Sequence, residues 1–310
     1  MNIKRNINPK EICDQIKKGN ITALSKAITL SESNIDSDQE LANKILAKLK
    51  TKNNDSIRIG ITGVPGAGKS TFIESFGNHI TNLGLKLAVL TIDPSSSVTK
   101  GSILGDKTRM ETLSTNKNVF IRPSPASNFQ GGVGKNTRES IFLCESAGYD
   151  IILIETVGVG QNEISVAEMV DFFLLLKISG SGDELQGIKR GIIEMSDLIA
   201  INKCDGDNVK DSIKAKNEFK LALQLFPRKK SNWKPQVLTC SSLTGEGLAE
   251  IWECITNYVN LTKKNNYFYE NRINQNKSWL LQIIDYSLRK SFFNRKSIKI
   301  KLNNLIKKIE

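Results

Sequence analysis

A chain of 310 residues, 39% of them apolar, can bury one core of about 200 residues and still carry flanking segments. No apolar run approaches the ~18 residues of a membrane-spanning helix. The five cysteines (Cys13, Cys144, Cys204, Cys240, Cys254) contain no C-x-x-C pair, which fits reduced thiols rather than a disulfide framework. The net charge of +12 raises nucleic-acid binding, but its distribution argues otherwise. Residues 57–255 hold 22 basic and 22 acidic side chains, whereas residues 256–310 hold 12 against 3. Without glycine–arginine runs or interleaved aromatics, RNA binding by that tail is disfavoured. His79 is the only histidine, which argues against a histidine metal cage or histidine acid–base chemistry.

Residues 1–56 read as a helical N-terminal extension. Asn8-Pro9-Lys10-Glu11 supplies a capping residue, a proline at the first helical position and an acid at the third. Ser37 with Glu40 repeats the device before Leu41, Ile45, Leu46 and Leu49, which share one helical face. Residues 1–20 lack an apolar h-region, and Glu11 and Asp14 do not suit a transit peptide, so the expected compartment is the cytoplasm.

The apolar run 57–61 leads into Gly63-Val64-Pro65-Gly66-Ala67-Gly68-Lys69-Ser70, a complete G-x-x-x-x-G-K-[ST] loop, and residues 71–83 continue with a helical pattern. In that context glycines let backbone N–H groups converge on phosphate oxygens, and the helix that starts at Thr71 turns its positive dipole end to them. Lys69 reaches the terminal phosphates and the Ser70 hydroxyl is placed to ligate Mg²⁺. The chain binds a nucleotide.

Two later strands should bring acids to that loop. Residues 87–92 end in Asp93, and Asp150-Ile151-Ile152-Leu153-Ile154-Glu155 ends in Glu155-Thr156-Val157-Gly158. Acids at the carboxyl ends of parallel strands suit Mg²⁺, so Asp93 and Glu155 are candidate metal residues, with a turn aspartate before Pro94 as the alternative for Asp93. The Gly158 N–H can face the γ-phosphate. Asp106, in the Gly-, Ser- and Thr-rich stretch 95–110, is a second acidic candidate for metal or water. Arg109 reads either as an internal charge stabiliser or as an ordinary surface arginine. Strand 172–176 runs into residues 177–189, which hold three glycines and the polar Asp183, Glu184 and Lys189, a mobile connector or something more.

The base is read next. Strand 198–201 ends in Asn202-Lys203-Cys204-Asp205, an N-K-x-D motif. The Asp205 carboxylate can accept from the guanine ring N–H and exocyclic amine together, a donor pair adenine lacks. The Lys203 stem can lie across the base, and Asn202 can brace neighbouring loops. Strand 236–239 then delivers Ser241, Ser242 and Leu243, a turn able to offer an N–H to guanine O6. GTP and GDP are the expected ligands.

Together, residues 63–70, Asp93-Pro94-Ser95-Ser96, Gly101-Ser102-Ile103-Leu104-Gly105-Asp106-Lys107-Thr108-Arg109-Met110, Glu155-Thr156-Val157-Gly158-Val159-Gly160-Gln161 and Asn202–Asp205 resemble the MeaB/ArgK-type GTPases. The resemblance spans roughly residues 57–255. It implies an α/β fold: a P-loop GTPase domain (57–259) with a mostly parallel sheet, the helical N-terminal extension (1–56) and a helical C-terminal dimerisation arm (260–310). It implies a Mg²⁺-dependent GTPase that forms a homodimer and acts as chaperone for a cobalamin-dependent acyl-CoA mutase of the methylmalonyl-CoA mutase class, gating cofactor loading. A cobalamin adenosyltransferase is a further candidate partner. Residues 177–189 correspond to a segment that reports nucleotide state to the mutase in that family, which gives Asp183, Glu184 and Lys189 a coupling role, with Gln161 a further coupling candidate. In the arm, Trp279, Leu280, Ile283, Ile284 and Leu288 share one helical stripe, and Leu302, Leu305, Ile306 and Ile309 a second.

Lys69, Asp106, Glu155 and Gly158 are the catalytic candidates. Val159 stands where many small GTPases place a water-positioning glutamine, with Gln161 two residues later, so slow intrinsic turnover is expected. Two competing readings are a nucleotide-dependent kinase of a transport-system protein, as the older ArgK label has it, and an RNA-linked assembly GTPase. The kinase lacks a candidate substrate site, and N-K-x-D favours guanine.

Overall fold

The computed structural model describes residues 8–49, 55–93, 110–125, 132–156, 162–180 and 190–309. Its centre is a seven-stranded sheet: β1 (Ile57–Gly63), β2 (Leu87–Asp93), β3 (Val119–Pro125), β4 (Ile151–Thr156), β5 (Phe172–Ile178), β6 (Leu198–Asn202) and β7 (Gln236–Thr239). The spatial order is β3-β2-β4-β1-β5-β6-β7 and every pairing is parallel. Parallel strands covered on both faces need apolar residues on both, which is why β4 opens with the apolar run 151–154 and β5 with 172–176.

Successive strand residues alternate between two packed layers. Ile59, Ile61, Leu153 and Leu174 face α4 (Lys69–Asn82) and α10 (Leu248–Lys264). Ala88, Leu90, Ile152 and Ile154 face the other layer, built from α6 (Gly132–Ala147), α7 (Asn162–Ala167) and the N-terminal helices. Two glycines set these distances. A Cβ on Gly60 would lie 2.8 Å from the Phe173 ring, and one on Gly77 equally close to Leu113 in α5 (Glu111–Thr115). A third cluster packs α8 (Arg190–Met195) and α9 (Val209–Leu223) on β6 and β7, around Phe219 and Ile199.

The N-terminal helices are α1 (Pro9–Lys17), α2 (Ile21–Glu32) and α3 (Asp36–Lys48). Asn8 caps α1 as expected, accepting from the Lys10 N–H with Pro9 at the first helical position. Ser37 does not cap α3. That helix already starts at Asp36 with Ile35 in the cap position. Ser33 organises the entry instead, its hydroxyl donating to Asp38 and accepting from the Ile35 N–H, a local bond that competes with helix and favours a turn. Ile16, Leu24, Ile28 and Ile45 are buried in one cluster with Ile152 and Ile154, so these helices close the second face of the sheet.

The C-terminal helices are α11 (Tyr267–Phe293), which starts at an anchor and runs beside α6 as far as Tyr286, 5.7 Å from Lys135 Nζ, and α12 (Lys296–Ile306). Arg272 grips Asp171 with a two-pronged bond, Nε to Oδ1 at 2.8 Å and Nη2 to Oδ2 at 2.6 Å, and lies 4.4 Å over the Phe268 ring. Gln275 donates to the Val170 carbonyl. Beyond that anchor Trp279 and Ile283 stay half-buried beside α6, while Leu280, Ile284 and Leu288 are 58%, 45% and 65% exposed. Among the described residues no helix is long and apolar enough to cross a membrane.

Candidate functional site

The chain leaves β1 through α4 on one face of the sheet and leaves the adjacent β4 through α7 on the other. Neighbouring strands whose connections diverge open a crevice at their carboxyl ends, the usual ligand position in parallel α/β sheets. The floor is a buried hydroxyl pair, with Thr156 Oγ1 donating to Thr62 Oγ1 at 2.9 Å. Gly63 ends β1 where a Cβ would lie 2.3 Å from the Leu176 carbonyl oxygen. From there Val64, Pro65, Gly66, Ala67 and Gly68 form the turn, and α4 begins at Lys69. Gly68 holds φ +84° at the helix entry, a left-handed value that glycine adopts without penalty.

Lys69 curls back over this loop. Its Nζ donates to the Gly63 carbonyl at 2.8 Å and the Val64 carbonyl at 3.3 Å. Burial pushes its pKa down, and the charges of Glu155 and Glu163 pull it back up. Glu155 therefore acts on Lys69 from β4, where it pairs in register with Ile61 and Thr91. Ser70 and Thr71 occupy the first turn of α4, Ser70 half-buried and Thr71 exposed. A partly desolvated ammonium beside the N–H groups of a helix start suits a polyphosphate.

The N-K-x-D strand end lies against the same loop. Asn202, buried, donates from Nδ2 to the Ala67 carbonyl at 2.9 Å. Its Oδ1 accepts from the Ser242 N–H at 3.0 Å and the Ser242 hydroxyl at 2.8 Å. One amide thus ties the phosphate loop to the serine turn, and the Ser242 N–H is committed to it. Lys203 takes a left-handed φ of 59°, its carbonyl accepting from Asn208 at 2.7 Å and its Cε lying near Gly68. Asp205 accepts from the Ser241 hydroxyl, whose oxygen in turn accepts from the Thr244 and Leu243 N–H groups. Leu243 is largely exposed. Ser75 of α4 donates to the Ser242 carbonyl, a second tie between the two halves. Burial lifts the Cys240 thiol to about 12, so it stays protonated beneath this turn.

Asp93 ends β2 one strand beyond β4, its backbone alone described. Asp106, Arg109, Gly158, Gln161, Asp183, Glu184 and Lys189 lie outside the described residues.

A model of the family described as methylmalonyl Co-A mutase-associated GTPase MeaB matches residues 24–297. The chain belongs to the MeaB family of GTPases. Among relatives, it is 46% identical over 266 residues to GTPase ArgK of Escherichia coli, covering 86% of this chain and 80% of that one. It is 43% identical over 302 residues to the mouse protein named methylmalonic aciduria type A homolog, mitochondrial, covering 94% and 73%. The crystal structure of a protein named LAO/AO transport system kinase superposes with a TM-score of 0.79 at 36% identity, over 94% of this chain and 89% of that one. As a MeaB-family member this protein is a P-loop GTPase that binds guanine nucleotide.

Two features of this MeaB-family site, and two elements of its fold, carry no sequence signature. The Thr62–Thr156 hydroxyl pair is visible only once β1 and β4 are adjacent. The Ser75–Ser242 tie joins residues 167 apart. Strand β3 and helix α6 fall between motifs and were not singled out by any of them.

Proposed function

We propose that this MeaB-family GTPase serves as chaperone of a cobalamin-dependent acyl-CoA mutase, with GTP hydrolysis gating cofactor loading. The observation that carries this reading is the match over residues 24–297 to a family described as mutase-associated. The name of the mouse relative is consistent with it. The superposed crystal structure bears the name of a transport-system kinase, which favours a second reading. A kinase needs a bound acceptor group, however, and the residues converging on the phosphate loop from β4, β6 and β7 serve nucleotide.

The chemistry assigned to the site is phosphoryl transfer to water. Lys69 and the loop N–H groups of residues 63–70 bind and orient the phosphates; Asp205, with Lys203 and the turn 241–243, holds the base. The protein oxygens fit Mg²⁺. The Ser70 hydroxyl and the Glu155 carboxylate are hard donors, and Mg²⁺ takes most of its remaining ligands from phosphate and water. Asp93 and Asp106 are further metal candidates. When bound, Mg²⁺ neutralises charge that builds on the transferred phosphoryl group. The exposed Leu280, Ile284 and Leu288 of α11 and Leu302 and Leu305 of α12 support homodimerisation through the arm.

The test is GTP turnover by the free protein and in the presence of candidate mutases. The expected stimulation is about ten- to a hundredfold, a coupling of roughly 1.4–2.8 kcal/mol. Replacing Asp183, Glu184 and Lys189 by alanine should leave basal turnover intact and remove the stimulation. If no candidate mutase stimulates the wild-type protein, the chaperone reading fails.

A further inference from the structure

A groove of about 1060 Å³ opens on the side of the molecule away from the nucleotide. It lies where the chain enters β6 and β7, lined by Met195 just before β6 and by Pro235 just before β7. Asn202 and Ser241 sit at the other ends of those strands, about 16 Å away for five residues of strand. The groove has two chemistries. Its floor is apolar and partly exposed: Leu223, Phe226, Trp233 and Tyr267. Its rim is cationic, with Lys220, Arg228, Lys230 and Lys234 all exposed.

The floor is tied to the sheet by a hydrogen bond, and the rim is not engaged. Trp233 Nε1 donates to the Asp197 carbonyl at 3.0 Å. Lys229 is used structurally, its Nζ reaching the Asp197 carboxylate and the Met195 carbonyl, each at 2.7 Å. No ion pair among the described residues involves the four rim cations, and Glu194 is the single acid among the described lining residues. Leu221 on α9 and Leu225 just after its end are exposed at 64% and 80%.

We infer that this groove is a docking site for an acidic segment of a protein partner that carries an aliphatic or aromatic anchor. Charge complementarity selects the occupant: four unengaged cations face solvent around a pre-formed apolar slot. A small phosphorylated ligand fits less well, because a phosphate site gathers backbone N–H donors, and here Pro227 and Pro235 remove two from the wall. The exposed cations set encounter rate and salt dependence, while the buried anchor sets residence time.

The test uses the full chain saturated with GDP and a fluorescein-labelled glutamate-rich peptide carrying two leucines, followed by anisotropy. Reversal of Lys220, Arg228, Lys230 and Lys234 to glutamate should weaken binding about tenfold or more, with GTP turnover and melting temperature unchanged. Reversal of Lys299, Lys301, Lys307 and Lys308 in the arm changes the net charge equally and should leave binding within about twofold. The same peptide with serine for leucine should bind at least about fivefold more weakly. Equal losses in both charge variants would reduce the effect to the protein's overall field and overturn the site. Undiminished binding of the serine peptide, or displacement of the leucine peptide by inorganic triphosphate at equal charge concentration, would overturn the anchored-segment assignment.

Discussion

Asn202 Nδ2 donates to the Ala67 carbonyl at 2.9 Å, across 135 residues of sequence, and this one bond makes the phosphate loop and the base-reading strand end a single unit. The same side chain holds Ser242 through two further bonds. Its position therefore sets the spacing between triphosphate and base.

Asn202→Ala removes a donor and an acceptor from a buried spot and leaves the Ala67 carbonyl and the Ser242 N–H without partners. Each orphaned group costs about 1–3 kcal/mol. The expected result is a fall in urea-unfolding stability of about 3 kcal/mol and at least tenfold weaker GDP binding by calorimetry. Unchanged GDP affinity would show that Asn202 is structural only.

The loop glycines differ in what a methyl group would meet. Gly66 has φ +83° but open space around it, so Gly66→Ala should cost only the left-handed strain, about 1–2 kcal/mol. Gly63→Ala would place a Cβ 2.3 Å from the Leu176 backbone oxygen, and the strand itself must shift. That variant should lose about 4 kcal/mol or more. Thermal melts of both nucleotide-free variants, side by side, give the ordering directly.

Arg272 anchors α11, and Asp171, its partner, also accepts from the Arg58 N–H at 2.8 Å. Glu145 lies 3.8 Å from Arg272 as well. Arg272→Ala leaves Asp171 buried with its main countercharge gone, at a cost of about 3–5 kcal/mol. Arg272→Lys should recover less than half of that loss, because an ammonium cannot make the paired bond. Limited trypsin digestion of both variants should show earlier cleavage within residues 267–293 than in the wild type.

Glu139 supplies a pH dependence. It is 4% exposed on α6, and burial raises its pKa to about 7, against the opposing pull of Lys135, whose Nζ is 3.8 Å away. A carboxyl raised in the folded state binds more protons there than when unfolded. Its contribution is therefore favourable below the unfolded value near 4.5 and is lost as pH rises through about 7. Glu139→Gln should gain on the order of 2 kcal/mol relative to wild type at pH 8 and nearly nothing at pH 4.5. Denaturant midpoints at the two pH values give the answer, and an equal difference at both would exclude burial as the cause.

Much of the site was legible in the sequence because its chemistry depends on contiguous residues. A phosphate loop needs its glycines, lysine and serine within eight positions, and residues 63–70 supply them where a strand meets a helix. The bracing role of Asn202 was readable for the same reason: its motif follows a strand whose end can face only the crevice. Apolar runs that end at motif residues placed β1, β2, β4, β5, β6 and β7 to within two residues at either end. Tertiary structure alone decided how these pieces meet. Parallel pairing of β4 with both β1 and β2 created the crevice, and no local pattern specifies which strands become neighbours. The entry of α3 went to Ser33 rather than Ser37 because capping is a competition among nearby turns, settled by how α2 and α3 pack. The Arg272–Asp171 anchor joins residues 101 apart, and the cationic groove, although its four cations lie within residues 220–234, is completed by Met195 and Tyr267; each residue is ordinary alone, and their meaning arises from burial and distance.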